Sequence, residues 1–143
     1  MRPAVQTCRV ERVLDGDSLR LDCDGRSREV RLHCIDAPER GQVPWGKQSR
    51  RHLRALAPAR VELIEIETDR YGRTVGDVYA PGAERRLLNL EQVRAGQAAV
   101  YARYCTDERF ARAQAEARAA RRGIWSAPGE QQTPWIYRHR QSR

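Results

Sequence analysis

Four short clusters in this chain carry residue types suited to ionic chemistry. Asp15-Gly16-Asp17-Ser18 sits at a tight turn, and Arg31 lies in an alternating segment. Asp36-Ala37-Pro38-Glu39 follows that segment, and Asp69-Arg70-Tyr71-Gly72-Arg73 lies between two later ones. Carboxylates crowded at one point repel each other unless a cation intervenes. A hard divalent ion such as calcium takes carboxylate and backbone carbonyl oxygens in flexible numbers. Asp17 and Asp36, with the carbonyl of Ala37, fit that role, and Glu39 is a further acid nearby. Arg31 and Arg73, aimed at one point, would grip a phosphate in two places and stabilise the extra charge on a five-coordinate phosphorus. Gly72 lets backbone or ligand come close beside Arg73. Taken singly, each cluster has a plainer reading. Asp and Gly are ordinary turn formers, and Arg31 and Arg73 are two arginines among many on a basic surface. The stronger expectation is that all of them meet at one rim of a barrel.

Such a meeting needs a rigid frame. Residues 18–23 alternate, with Leu19, Leu21 and Cys23 on one face and Arg20 and Asp22 on the other. Residues 27–35 repeat the pattern, with Val30, Leu32 and Cys34 opposite Arg31, His33 and Ile35. Residues 7–14 start in phase at Cys8 and Val10, then slip at Arg12 before Val13, as a β-bulge would. Asp24-Gly25 is a two-residue hairpin signal and Asp15-Gly16 a second tight turn. Residues 60–68 change phase between Leu63 and Ile64, which predicts a bent fourth strand, and residues 74–79 form a fifth. Helices are expected over 47–57, stopped by Pro58; over 89–94, capped by Asn89 and ended by Gly96; and over 108–122, capped by Asp107. In the last, Phe110, Ala113, Ala117 and Ala120, continued by Ile124, make an apolar stripe. Bent strands suit a small closed barrel. The expected fold is α+β, mainly β: a five-stranded barrel of the oligonucleotide-binding (OB-fold) type with three α-helices. It spans residues 1–126, and residues 127–143 form an arm anchored by Trp135.

Composition narrows the partners. Across 143 residues, Lys and Arg number 27 against 19 Asp and Glu, a net charge of +8. A domain this basic usually meets a polyanion. Lys47 is the only lysine; arginine's planar fork suits phosphate, although codon bias is a plainer source of the excess. Eight arginines and four acids fall within residues 107–143. Of these, Arg138, Arg140 and Arg143 suggest either a tether to a polyanion or, more plainly, a solvated tail. No apolar run approaches the roughly 18 residues of a membrane span. The four cysteines form no C-x-x-C, which argues against zinc. They permit three complete pairings or four buried thiols, and Cys8 and Cys23 stand at mirrored distances from the Asp15-Gly16 turn. Asp22-x-Asp24-Gly25 is too short for an EF-hand loop, and there is no H-E-x-x-H, G-x-S-x-G or phosphate loop. Met1-Arg2-Pro3-Ala4-Val5 shows no signal peptide. The expected location is cytoplasmic, or secreted or periplasmic if a leader has been removed.

In this order, the clusters resemble the staphylococcal (micrococcal) nuclease family. The matching pieces are Val13-Leu14-Asp15-Gly16-Asp17-Ser18, Val30-Arg31-Leu32, Ile35-Asp36-Ala37-Pro38-Glu39, Asp69-Arg70-Tyr71-Gly72-Arg73, Leu90-Glu91-Gln92-Val93-Arg94-Ala95-Gly96 and Gly123-Ile124-Trp125. The resemblance covers roughly residues 7–126. It implies a monomeric, calcium (Ca2+)-dependent phosphodiesterase cutting single-stranded or locally opened DNA and RNA to leave 3′-phosphate ends. By that resemblance Asp17 and Asp36 hold calcium, and Ala37 stands where the family ligates through a threonine carbonyl. Asp15 is a neighbouring acid, and Glu39 orients or deprotonates the attacking water. Arg31 and Arg73 hold the scissile phosphate, and Arg70 and Tyr71 flank the terminal phosphate. Tyr104 aligns with a family tyrosine and Tyr101 is out of phase with it; one of the two stacks on a base. The loop from Arg40 to Gly46 is shorter than in familiar members, which implies a more rigidly held Glu39. The alternative is a non-catalytic OB-type nucleic-acid-binding module; the presence of Asp17, Arg31, Asp36, Glu39 and Arg73 together argues against it.

Overall fold

The computed structural model describes residues 4–142. Met1 to Pro3, part of the segment read for a leader, and Arg143, grouped with the arm's arginines, lie outside the described residues. Strands β1 (Val5–Asp15), β2 (Ser18–Cys23) and β3 (Arg26–Leu32) form an antiparallel meander. Asp24 and Gly25 turn β2 into β3 with φ of 55° and 83°, the left-handed pair that a twisted hairpin prefers. The register of β1 on β2 jumps between Val10 and Arg12, so the slip at Arg12 is a bulge, and jumps again between Val13 and Asp15. The other edge of β1 pairs with β5 (Arg60–Thr68), and β5 pairs with β6 (Thr74–Ala80). Strand β6 then runs parallel to β3, with Val30 opposite Thr74 and Leu32 opposite Gly76. That last pairing closes a five-stranded barrel, as expected. The bend in β5 falls later than Leu63–Ile64: the register shifts between Glu65 and Glu67, and Ile66 is left 45% exposed.

The inward faces of these strands supply the core, including Leu19, Leu21, Val30, Leu32, Val61, Leu63 and Val78. The third strand does not run through to Ile35. Cys34 has a φ of 77°, which breaks the alternation. The chain re-enters as a two-residue strand, β4 (Ile35–Asp36), paired with β8 (Ala99–Val100). Ile35 is therefore buried rather than sharing the face of Arg31 and His33.

Helix α1 (Trp45–Leu56) begins before Lys47 and takes Gly46 into its first turn. Short strand β7 (Arg86–Leu87) leads into α2 (Leu88–Arg94). Asn89 does not cap α2: it lies inside the helix, fully buried. Its Oδ1 accepts from Val78 N at 3.1 Å, and its Nδ2 donates to the carbonyls of His33 and Gly76 at 3.0 and 3.1 Å. It thus ties backbone groups of β6 to the turn that follows β3. Helix α3 (Glu108–Ala119) is capped by Asp107 as expected and ends sooner than predicted. Phe110, Ala113 and Ala117 are buried, and Ala120 is exposed. The arm is neither a loose tail nor a bare tether. It contains a fourth helix, α4 (Pro134–Gln141), whose Pro134 is buried. Two disulfides, Cys8–Cys23 between β1 and β2 and Cys34–Cys105 across 71 residues, settle the cysteine pairing. No helix among the described residues is long and apolar enough to cross a membrane.

Candidate active site

The barrel rim gathers the expected residues around one cleft of about 1030 Å³. Asp17, Arg31, Ala37, Glu39, Arg70, Tyr71, Arg73, Tyr101 and Tyr104 all line it. Asp36 is fully buried behind that lining, and it is reached by two arginines. Each side chain is placed by its element. The β1–β2 turn presents Asp17, whose Oδ2 accepts from Ala37 N at 2.8 Å and whose carbonyl accepts from Leu32 N at 2.8 Å. The turn itself is wedged against α1 and α2. Gln92 Nε2 donates to Gly16 O at 2.7 Å and to Ser49 O at 3.1 Å. A Cβ on Gly16 would lie 1.7 Å from Ser49 Oγ.

Arg31 projects from β3 between the two aspartates. Its Nη1 is 3.6 Å from Asp17 Oδ2, and its Nη2 is 3.4 Å from Asp36 Oδ1. The Asp17 charge is the main influence raising Arg31 above its ordinary value, against burial and with help from Asp36. Asp36 carries the cost of this crowding. Burial first, then the charge of Asp17, push its carboxyl up to about 6, while Arg138 and Arg31 pull the other way. Burial and Asp17 likewise raise Asp15, and Arg40 opposes them.

Glu39 is fixed at its backbone, where its N–H donates to Gln42 Oε1 at 2.9 Å. Arg73 is held by two acids: its Nε donates to Asp69 Oδ2 at 2.8 Å, and its Nη1 stands 3.6 Å from Glu29 Oε2. Burial works against the charge of Asp69, but hydrogen bonds from Arg73 and Tyr71 outweigh it and hold the carboxyl below its ordinary range. Arg70 donates to Tyr71 Oη at 2.7 Å. Tyr101 and Tyr104 stack on one another, with ring centres 5.1 Å apart and planes within 11°. The two tyrosines thus form one aromatic wall.

Three residues that the sequence did not assign to the site contribute to it, among them the expected anchor Trp135. Trp135 sets its edge against Tyr101 at 5.2 Å. Arg138 donates from Nη2 to both oxygens of Asp36 at 2.6 and 2.7 Å, and from Nε to Glu39 Oε1 at 2.8 Å. Gln92 braces the Asp15–Asp17 turn. The only sequence signal for the first two was a basic arm carrying a tryptophan.

Among the described residues, no group of three or more Asp, Glu, Cys or His side chains is arranged to hold a metal ion. A cation here would depend on two carboxylates, Asp17 and Asp36, with carbonyl oxygen and water completing its shell, a donor set suited to calcium. Burial, then the charge of Asp17, raise Asp36 to about 6, and Arg138 already places a cationic nitrogen between the Asp36 oxygens. The residues present therefore fit a hard divalent ion.

Comparison with known proteins gives the same direction. Residues 29–127 match the family described as staphylococcal nuclease homologue. A protein of Escherichia coli O157:H7 named "Uncharacterized endonuclease" is 41% identical over 133 residues, covering 92% of this chain and 84% of that protein. The "Micrococcal nuclease" of Shigella flexneri is 41% identical over 138 residues, covering 90% of this chain and 78% of its own. A "Probable staphylococcal-like nuclease CAN2" of Oryza sativa subsp. japonica is 36% identical over 117 residues, 81% of this chain and 30% of that protein. With the barrel, the rim of acids and arginines and these matches in agreement, the chain belongs to the staphylococcal nuclease family.

Proposed function

We propose that this chain is a calcium-dependent nuclease that hydrolyses phosphodiester bonds of DNA and RNA and leaves 3′-phosphate ends. The observation that carries this reading is the convergence of Asp17, Arg31, Glu39 and Arg73 on one cleft, with Asp36 directly behind it. Bound calcium would supply Lewis-acid charge beside a phosphate oxygen, held by Asp17, Asp36 and the Ala37 carbonyl. Glu39 orients a water for in-line attack and accepts its proton. Water oxygen bonds to phosphorus as the bond to the 5′ oxygen breaks, and that oxygen takes a proton from solvent water, so the products are a 3′-phosphate and a 5′-hydroxyl. Arg31 and Arg73 take up the charge that develops on the equatorial oxygens. Their carboxylate partners hold both guanidinium groups in place before substrate arrives, which removes that ordering cost from the reaction step. Arg70 and Tyr71 meet a neighbouring phosphate. The Tyr101–Tyr104 wall offers a ring face to an unpaired base, which favours single-stranded or locally opened substrate.

The test is digestion of plasmid DNA and a single-stranded RNA in calcium and in chelator, followed by analysis of the product ends. Cleavage only in calcium, with 3′-phosphate ends, is the expected result. Tight binding without cleavage would leave a non-catalytic binding module, and cleavage leaving 5′-phosphates would overturn the assignment of the leaving oxygen.

A further inference from the structure

We propose that Arg138 is a built-in placeholder for the cation: its guanidinium and a divalent ion exclude one another at Asp36, so cation entry requires Arg138 to let go. The inference rests on the calcium reading above and concerns how that site is controlled.

The geometry is specific. Arg138 Nη2 lies 2.6 and 2.7 Å from the two oxygens of Asp36. A calcium ion bound by both oxygens of a carboxylate sits about 2.3–2.6 Å from each. One nitrogen therefore occupies the place that a chelated ion would take. The same guanidinium reaches Glu39 Oε1 through Nε at 2.8 Å, so it ties down the proposed water-orienting acid at the same time. Arg31 does not conflict in this way, because its distances to Asp17 and Asp36 are longer, at 3.6 and 3.4 Å.

The arm is built to keep Arg138 near while allowing it to swing. Helix α4 has other anchors: buried Pro134, Trp135 against Tyr101, Tyr137 lying over Gly41, and Arg140 paired with Glu130 at 2.6 Å. The Arg138 side chain is 42% exposed, whereas that of Asp36 is 1% exposed. Release thus moves a partly solvated arginine and leaves the helix seated. Without cation the buried carboxylate stays neutralised by Arg138, until cation concentration is high enough to displace that one side chain.

The experiment is calorimetric titration of calcium into the protein without nucleic acid, comparing wild type with Arg138→Gln and Arg138→Lys. Arg138→Gln is expected to bind calcium about tenfold more tightly or better, the scale of one charge-assisted hydrogen bond to a buried carboxylate. Arg138→Lys, which keeps the charge without the fork, should fall between the two and guards against a folding defect in the glutamine variant. Equal or weaker binding by both variants overturns the placeholder while leaving calcium binding intact. No binding by any of the three proteins overturns the calcium reading together with it.

Discussion

Gly46→Ala would test how tightly the fold holds Glu39. Gly46 lies in the first turn of α1, where alanine is favoured over glycine by about 1 kcal/mol on helix propensity alone. The surroundings forbid it. A Cβ there would lie 2.1 Å from the Glu39 carbonyl oxygen, 2.6 Å from its carbon and 2.9 Å from Arg40 Cα. All three are backbone atoms, so no side chain can swing aside. The Glu39 carbonyl is itself held by Gln42 N at 2.9 Å. Relief to ordinary contact requires a shift of about 1 Å, and overpacking of this kind costs about 1–3 kcal/mol. The propensity gain offsets part of that, so the expected loss of stability is about 0–2 kcal/mol. A displacement of that size at a catalytic group lowers turnover about 10²-fold. The assay is turnover on a short oligonucleotide at saturating calcium, run beside a melting curve. Gln48→Ala, on the exposed face of the same helix, serves as the control for propensity. Turnover within threefold of wild type for Gly46→Ala would refute either the role of Glu39 or its fixed position.

Arg31→Ala and Arg73→Ala should each lower turnover about 10²–10³-fold while circular dichroism and melting show the fold retained, and mild effects at both would sink the phosphate clamp. Replacing Cys34 and Cys105 together by serine should cost about 4 kcal/mol, against about 3 kcal/mol for the shorter Cys8–Cys23 loop, measured by urea unfolding; the reverse order would refute the loop-length argument. The pH dependence of metal-free protein has a defined sign at Asp36. Its folded-state value, about 6, lies above the ordinary 3.8, so its contribution to stability is present below about pH 4 and lost as pH rises through 6. Asp36→Asn should therefore gain on wild type by about 2–3 kcal/mol between pH 4 and 7, and a constant difference across that range would count against the assignment.

The barrel was legible because its cues are local. Alternation in residues 18–23, the Asp24-Gly25 turn and the slip at Arg12 each lie within a few residues. The convergence of the candidate site residues on one cleft was legible through four compact clusters. What stayed hidden depends on partners distant in sequence. Asn89 looks like a cap until the carbonyl of His33, 56 residues away, is found against it. The break at Cys34 is a left-handed turn at a residue with no special preference for one. Arg138 meets Asp36 across 102 residues, and nothing short-range distinguishes it from the arm's other arginines.

The bond between Cys34 and Cys105 gives the cleft a covalently fixed margin. Cys34 directly precedes the strand bearing Asp36, and Cys105 directly follows Tyr104. On that side the acid and the aromatic wall are riveted together, and their separation is set once the chain has oxidised. Helix α4 reaches the same acid and the same wall without a covalent bond, through the ion pairs of Arg138 with Asp36 and Glu39 and the contact of Trp135 with Tyr101. Breathing of the groove to admit a strand is therefore expected at α4, with the riveted acid and wall acting as the fixed jaw.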